Sequence, residues 1–276
     1  MTSRALDQFY TRPAVALECW RFLGSHVECS PSDRWLEPSA GAGAFFELLP
    51  ARQRIGLDID PRHCEVVRQD FLGEFEPPAH QGRWLTVGNP PFGKNTSLAV
   101  RFFNKAATFS DVIAFVVPLT FRKHSLQQRL DSCFSLLAEL PLDKDAFVFE
   151  GKPYSVPCCF QVWVRSATPR QWTAPVLEHP DFEFVRREQA HFAIRRVGRS
   201  AGKVIRDFHR YASTSHYFVR SRIGPELLAQ RLEALCLTHE KWSTAGVASL
   251  GKRELVAAYQ KVYAAEEGNA SSALCA

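Results

Sequence analysis

No run of 18 apolar residues occurs in the 276-residue chain, so nothing in it has the length of a membrane-spanning helix. The first residues, Met1 to Asp7, lack the apolar stretch of a secretory leader. Eight cysteines stand at 19, 29, 64, 133, 158, 159, 236 and 275, none in C-x-x-C spacing. That pattern suits neither a zinc site nor a disulfide framework. The expectation is therefore reduced cysteines acting as small core residues in a cytoplasm, with no metal and no membrane partner. Internal repeats are absent as well.

Hydrophobic residues make up 46% of the chain, enough for one α/β domain and a smaller appendage. The net charge of +5 is unevenly spread. Between Arg186 and Arg222 ten Lys/Arg face two acids, Glu188 and Asp207, a local net of +8. The remainder is then near −3. One basic segment on a mildly acidic body is the footprint of a nucleic-acid partner, although a solvated basic face is the plainer alternative. Arg186, Arg187, Arg195, Arg196, Arg199 and Lys203 are the candidate contacts in it.

Chemistry is expected at Trp84-Leu85-Thr86-Val87-Gly88-Asn89-Pro90-Pro91-Phe92. The apolar residues favour a strand. Two prolines, lacking N–H groups, then end it. The result is a stiff corner at a strand's C-terminal edge, where open α/β sheets bind ligands, with an exposed ring expected at Phe92. The Asn89 side-chain oxygen and the Pro90 carbonyl form a fixed pair of acceptors. Such a pair suits a planar group with two N–H donors, and Phe92 could hold a base by stacking. A proline-capped strand end with a core phenylalanine is the bland alternative. Gly88 to Lys94 also spells most of a phosphate-binding loop. Pro90 and Pro91 remove two of the N–H groups such a loop must present, and Asn95 stands where its hydroxyl belongs.

Upstream, Pro13 fits the first turn of a helix to about Gly24, with Thr11 near its N-cap. Arg34 to Phe46 reads as a strand, a glycine turn and a helix start, ending by Pro50. Phe46 replaces the third glycine of the dinucleotide fingerprint, which disfavours a nicotinamide dehydrogenase. Further strands are expected at Arg54–Asp60 and around Val66–Leu72. Glu37, Asp58 and Asp70 close three successive strands, and such acids suit a polar ligand crevice and ribose hydroxyls. After the corner, a helix over Ser97–Thr108, a strand over Asp111–Pro118, a helix over Gln127–Cys133 and a strand over Leu136–Leu140 follow. Lys144–Pro157 reads as a loop and Cys158–Val164 as a seventh strand. The alternation implies a mostly parallel sheet with helices on both faces. The expected domains are 1–168, then a basic α+β extension over 169–266 beyond a proline-bearing linker, then a disordered tail over 267–276. In the extension, strands are expected at Phe182–Val185 and His191–Val197 and helices at Leu227–Leu237 and Glu254–Ala265.

With these motifs in place, the chain resembles class I S-adenosylmethionine-dependent methyltransferases, and among them the N6-adenine amino-methyltransferases. Asn89-Pro90-Pro91-Phe92 matches their signature corner. Glu37-Pro38-Ser39-Ala40-Gly41-Ala42-Gly43 looks like their first cofactor motif, Asp58 like the ribose-binding acid, and Asp70-Phe71 like the pair at the cofactor's adenine. Phe9-Tyr10-Thr11 is similar to the motif that closes over the methionine part. The order, cofactor motifs before the corner, matches the gamma arrangement of DNA adenine methyltransferases and covers about residues 7–165. The resemblance implies a Rossmann-like fold, S-adenosylmethionine as cofactor, and methyl transfer to the N6 amine of adenine in nucleic acid, DNA before RNA. It implies Asn89, Pro90, Pro91 and Phe92 at the catalytic corner, with Asn89 also at the cofactor and Lys94 near a phosphate. The same corner also serves RNA adenine and protein glutamine methylation, and a catalytically silent nucleic-acid-binding module is the non-enzymatic alternative.

Overall fold

The computed structural model describes residues 10–143, 146–149, 152–154, 156–171, 176–244 and 247–272, with the backbone alone for 148–149, 152–154 and 264–272. The chain divides into two compact units, Met1–Trp172 and Thr173–Ala276.

The first unit opens with strand β1 (Tyr10–Thr11) and helix α1 (Pro13–His26). Arg12, extended at φ −65° and ψ 139°, is the N-cap, and Pro13 occupies the first turn where a missing N–H costs nothing. Ala16, Cys19 and Leu23 recur at helical spacing and are buried. There follow β2 (Arg34–Glu37), β3 (Arg54–Asp58), β4 (Val67–Arg68), β5 (Trp84–Gly88), α2 (Ser97–Ala106), β6 (Val112–Pro118), α3 (His124–Gln127), β7 (Phe134–Pro141), β8 (Phe147–Phe149), β9 (Lys152–Tyr154) and β10 (Cys158–Arg165).

Seven of these strands form one sheet in the order β4-β3-β2-β5-β6-β10-β7. The pairs from β4 through β6 are parallel, and β10 runs antiparallel to both β6 and β7. This is the mostly parallel α/β sheet expected. Strands β5 and β6 are buried at every residue, because a central parallel strand is covered on both faces. The chain leaves β2 toward β4 on one side and returns on the other at β5. The carboxyl ends of β2 and β5 therefore flank a topological switch point, the usual ligand crevice of such sheets.

Four local expectations are corrected. The segment after the glycine turn is a single 3-10 turn, Phe46–Leu48, because Pro50 leaves no room for an α-helix. The helix expected over Gln127–Cys133 lies earlier, at His124–Gln127. The Asp131 carboxylate instead accepts the Cys133 N–H at 2.8 Å and holds a turn. The expected loop Lys144–Pro157 contains the hairpin β8–β9, and β8 pairs antiparallel with β1; its residues 144–145, 150–151 and 155 lie outside the described residues. Finally, the helix expected to end at Ala265 continues to Ser272, on helix-forming Ala and Glu residues. Residues 273–276 lie outside the described residues.

The second unit is a four-stranded antiparallel sheet, β11 (Phe182–Phe184), β12 (Phe192–Arg195), β13 (Val204–Ile205) and β14 (His216–Ser221), in the order β11-β14-β12-β13. Helices α4 (Pro225–Glu233), α5 (Thr238–Trp242) and α6 (Lys252–Ser272) follow. Phe182, Ile194 and Val219 on the sheet pack with Leu228, Leu232 and Val256 on the helices. At its centre the buried Asp181 carboxylate accepts the Tyr259 hydroxyl at 2.6 Å and pairs with Arg231 at 3.2 Å. No helix among the described residues is long and apolar enough to cross a membrane. Among the described cysteines all are free; Cys19, Cys158 and Cys159 are buried as expected of core residues, whereas Cys29, Cys64 and Cys236 are exposed.

Candidate cofactor cavity and catalytic corner

A cavity of about 310 Å³ opens at the carboxyl ends of β2, β3 and β5. Glu37, the last residue of β2, lies at its floor with 2% exposure. Its Oε2 is buried and has no hydrogen-bond partner among the described residues. Burial, and then the neighbouring Asp58, push the Glu37 carboxyl well above the usual glutamate value, against a hydrogen bond from the Phe46 backbone that lowers it.

Pro38, Ser39 and Gly41 carry the turn along the cavity wall. Gly41 sits at φ +52°, and a Cβ there would lie 3.0 Å from the Tyr10 ring, so only glycine fits both the backbone and the ring. Asp58, ending β3, fixes this turn. Its Oδ2 accepts the Gly41 N–H at 2.7 Å and its Oδ1 accepts the Asp60 N–H at 2.7 Å. Each oxygen keeps a second lone pair for a ligand hydroxyl. Gly43, expected at the cofactor, does not line the cavity. A Cβ there would meet His63 at 2.9 Å, so this glycine serves the turn's packing.

On the opposite wall, Asp70 is exposed and its Oδ1 accepts the Leu72 N–H at 2.8 Å. Phe71 is buried and packs at 5.3 Å from Phe102, and both rings give the cavity an apolar side. Tyr10 and Thr11 cover it from β1. Arg62 lies over the Tyr10 ring at 5.0 Å. The hairpin places them, with Thr11 opposite Phe147 on β8. Phe9 lies outside the described residues.

The corner meets the cavity across the switch point. Ser39 Oγ donates to the Asn89 carbonyl at 3.0 Å, which ties the β2 turn to the residue after β5. Asn89 and Pro91 line the cavity, while Pro90 is buried behind them. Phe92 corrects the expectation of an exposed ring. It is 8% exposed and packs edge-on to Phe147 at 6.3 Å, because the hairpin closes over it. Its carbonyl accepts the Leu98 and Ala99 N–H groups and so begins α2. Lys94 is exposed and opens the 3-10 turn Lys94–Thr96 beyond.

Arg101 and Phe102, on the helix after the corner, also line this cavity and were not among the expected site residues. Positions 98, 101 and 102 share one face of that helix at i, i+3, i+4 spacing, which was the available signal. Of the basic segment, Arg186, Arg195, Arg199 and Lys203 are exposed. Arg187 and Arg196 are half-buried, lying over Phe218 at 5.4 Å and Tyr217 at 5.2 Å.

No family model matches the chain, and no curated protein does. Solved structures do. A Pyrococcus horikoshii protein described as an RNA methyltransferase aligns over 60% of this chain and 90% of its own, at 17% identity and a TM-score of 0.48. The magnesium protoporphyrin IX methyltransferase of Synechocystis, solved with bound SAM, aligns over 56% of this chain and 79% of its own, at 11% identity and 0.40. The methyltransferase subunit of a Streptococcus thermophilus type I restriction-modification system aligns over 90% of this chain and 58% of its own, at 14% identity and 0.41. On its own strand order, mostly parallel with β10 reversed between β6 and β7, the first unit has a Rossmann-like α/β fold.

Proposed function

We propose that this chain binds S-adenosylmethionine in the cavity and methylates the N6 amine of adenine in nucleic acid, with DNA preferred. The observation that carries the reading is the adjacency, across the β2/β5 switch point, of the Asn89-Pro90 corner and the cavity holding Glu37 and Asp58. The residues present fit the cofactor. Glu37 Oε2 is a buried acceptor lacking a partner among the described residues, Gly41 allows close backbone approach, and Phe71 supplies an apolar wall. The volume lies at the lower end for ligand cavities, about 300–1,000 Å³. Glu37, Asp58 and Asp70 would take its polar groups, with Tyr10 and Thr11 over it. When bound, the group supplies a methyl already activated on a sulfonium centre.

The chain's own work is orientation. Asn89 Oδ1 and the Pro90 carbonyl accept the two amine hydrogens, which favours a pyramidal nitrogen and frees its lone pair. The prolines hold both acceptors in place before the substrate arrives, so little reorganisation is needed at the reacting step. The surplus proton leaves the amine for water, since no base of suitable strength lies on the corner itself. Phe92, buried against Phe147, anchors the corner. The target base must leave its stack to reach this crevice. The +8 segment supports a polyanionic substrate over a protein. The preference for DNA rests on the motif order.

The test is incubation with labelled cofactor and DNA or RNA, followed by digestion to nucleosides and mass spectrometry. N6-methyladenine from DNA is expected. Asn89→Ala is expected to lower turnover about 100-fold or more while cofactor binding by calorimetry persists. Label in glutamine alone, or full activity in Asn89→Ala, would overturn the reading.

A further inference from the structure

Among the described residues no helix covers the outer face of the second unit's sheet. Strand alternation decides what lies there. On β14, Tyr217 and Val219 go inward to the helices, whereas His216 and Phe218 go outward. On β12 the outward residues are Ala193 and Arg195, and Arg195 pairs across the strands with His216. The segment between β13 and β14 folds back onto this face. Its Phe208 is 3% exposed and packs with Ala193 and Phe218. Arg187 pins the segment by donating to the His209 carbonyl at 3.1 Å from above the Phe218 ring.

That arrangement presents His209, Arg210 and Tyr211 consecutively to solvent. Each ring is backed by another. His209 stacks on Phe208 at 4.6 Å and 29°, and Tyr211 lies 4.4 Å from His216 at 39°. His216 is 4% exposed, and its Nε2 has no hydrogen-bond partner among the described residues. Burial, with Arg195 beside it, lowers its pKa, against a backbone hydrogen bond at Ala212 that raises it. Tyr211 itself stays 41% exposed. A cation between two braced rings, inside a segment with ten Lys/Arg and two acids, matches the chemistry of unpaired nucleic acid: flat faces for bases and a charge for the phosphate between them.

We propose that His209, Arg210 and Tyr211 form a stacking platform for an unpaired nucleic-acid strand. The proposal rests on the reading above that the substrate is nucleic acid, and it names which state of that polymer the second unit takes. A duplex hides the base faces inside its stack, so an open ring pair can engage only unstacked bases.

The test is fluorescence anisotropy of the full chain with labelled oligothymidylate and oligouridylate of about 12 nucleotides and with a duplex of equal length. These strands lack adenine, so the catalytic corner has no target. Wild-type protein is expected to prefer a single strand of either sugar to the duplex. His209→Ala with Tyr211→Ala is expected to weaken that binding about 25-fold or more, each stack carrying roughly 5- to 150-fold. Tyr211→Phe is expected to stay near wild type. Tyr211→Leu, which keeps apolar cover over His216 without a ring, is expected to weaken binding as alanine does, with unchanged melting. Arg210→Ala is expected to reduce the salt slope by about 0.7. No binding of either strand, equal binding of the duplex, or a double variant indistinguishable from wild type overturns the platform. Adenine methylation by wild type with strand binding unchanged in the double variant overturns the platform alone. Ring-dependent strand binding with no methylation of any adenine overturns the enzymatic reading alone.

Discussion

Replacing Glu37 by glutamine separates what its buried charge costs the fold from what it offers a ligand. The side chain packs against the end of β5, where a Cβ on Gly88 would approach its Cγ to 3.0 Å, so a substitute must keep its shape. Glutamine does. An unsatisfied buried polar atom, worth about 1–3 kcal/mol, persists in both proteins and largely cancels between them. The charge does not cancel. Burial, reinforced by Asp58, raises the carboxyl's pKa well above 4.5 in the folded state. Above that ordinary value the unfolded chain releases the proton while the folded one retains it. The folded state therefore binds more protons, and stability falls as pH climbs through the interval up to the folded pKa. One proton sets a limiting slope of about 1.36 kcal/mol per pH unit. Urea titrations from pH 4 to 9 should show wild type losing stability relative to Glu37→Gln over that interval, with no relative change below pH 4.5. At pH 8 the variant should be the more stable protein, yet bind S-adenosylmethionine about 5- to 12-fold more weakly where the ligand's donors draw the wild-type carboxyl into its ionised form, since a hydrogen bond to a charged group exceeds one to a neutral amide by about 1–1.5 kcal/mol. Parallel stability curves together with unchanged affinity would refute both halves of the reasoning.

Two further outcomes are expected. Phe92→Ala should destabilise the protein by about 3–5 kcal/mol in urea unfolding, as deletion of a core aromatic does; a loss below about 1 kcal/mol would show that the ring is not a core element and return it to stacking on the base. Replacing Arg186, Arg195, Arg199 and Lys203 together by alanine should leave melting unchanged and make the salt slope for single-strand binding shallower by about 3, four contacts at about 0.7 each. An unchanged slope would show that these exposed cations touch no phosphate.

What was legible in the sequence was local chemistry. Trp84 to Pro91 spelled out a strand and its termination, and β5 ends at Gly88 as that composition demands. The apolar run before Pro118 gave a buried strand for the same reason. The hairpin over 147–154 was not legible, because three-residue strands carry too little alternation to register and Lys152-Pro153 reads as a turn. That omission carried the error at Phe92, whose cover, Phe147, belongs to the missed hairpin and is brought in only by tertiary structure. A count of charges likewise cannot tell an arginine lying on a ring, as Arg187 and Arg196 do, from one reaching into solvent. Asp58 marks the remaining gap. Its position at the end of β3 suggested a ligand acid, but both of its oxygens hold backbone N–H groups of the turns around the cavity. The two tasks do not compete. A carboxylate oriented by two backbone donors has its remaining lone pairs fixed in direction, and an acceptor already fixed loses less freedom when a ligand hydroxyl arrives.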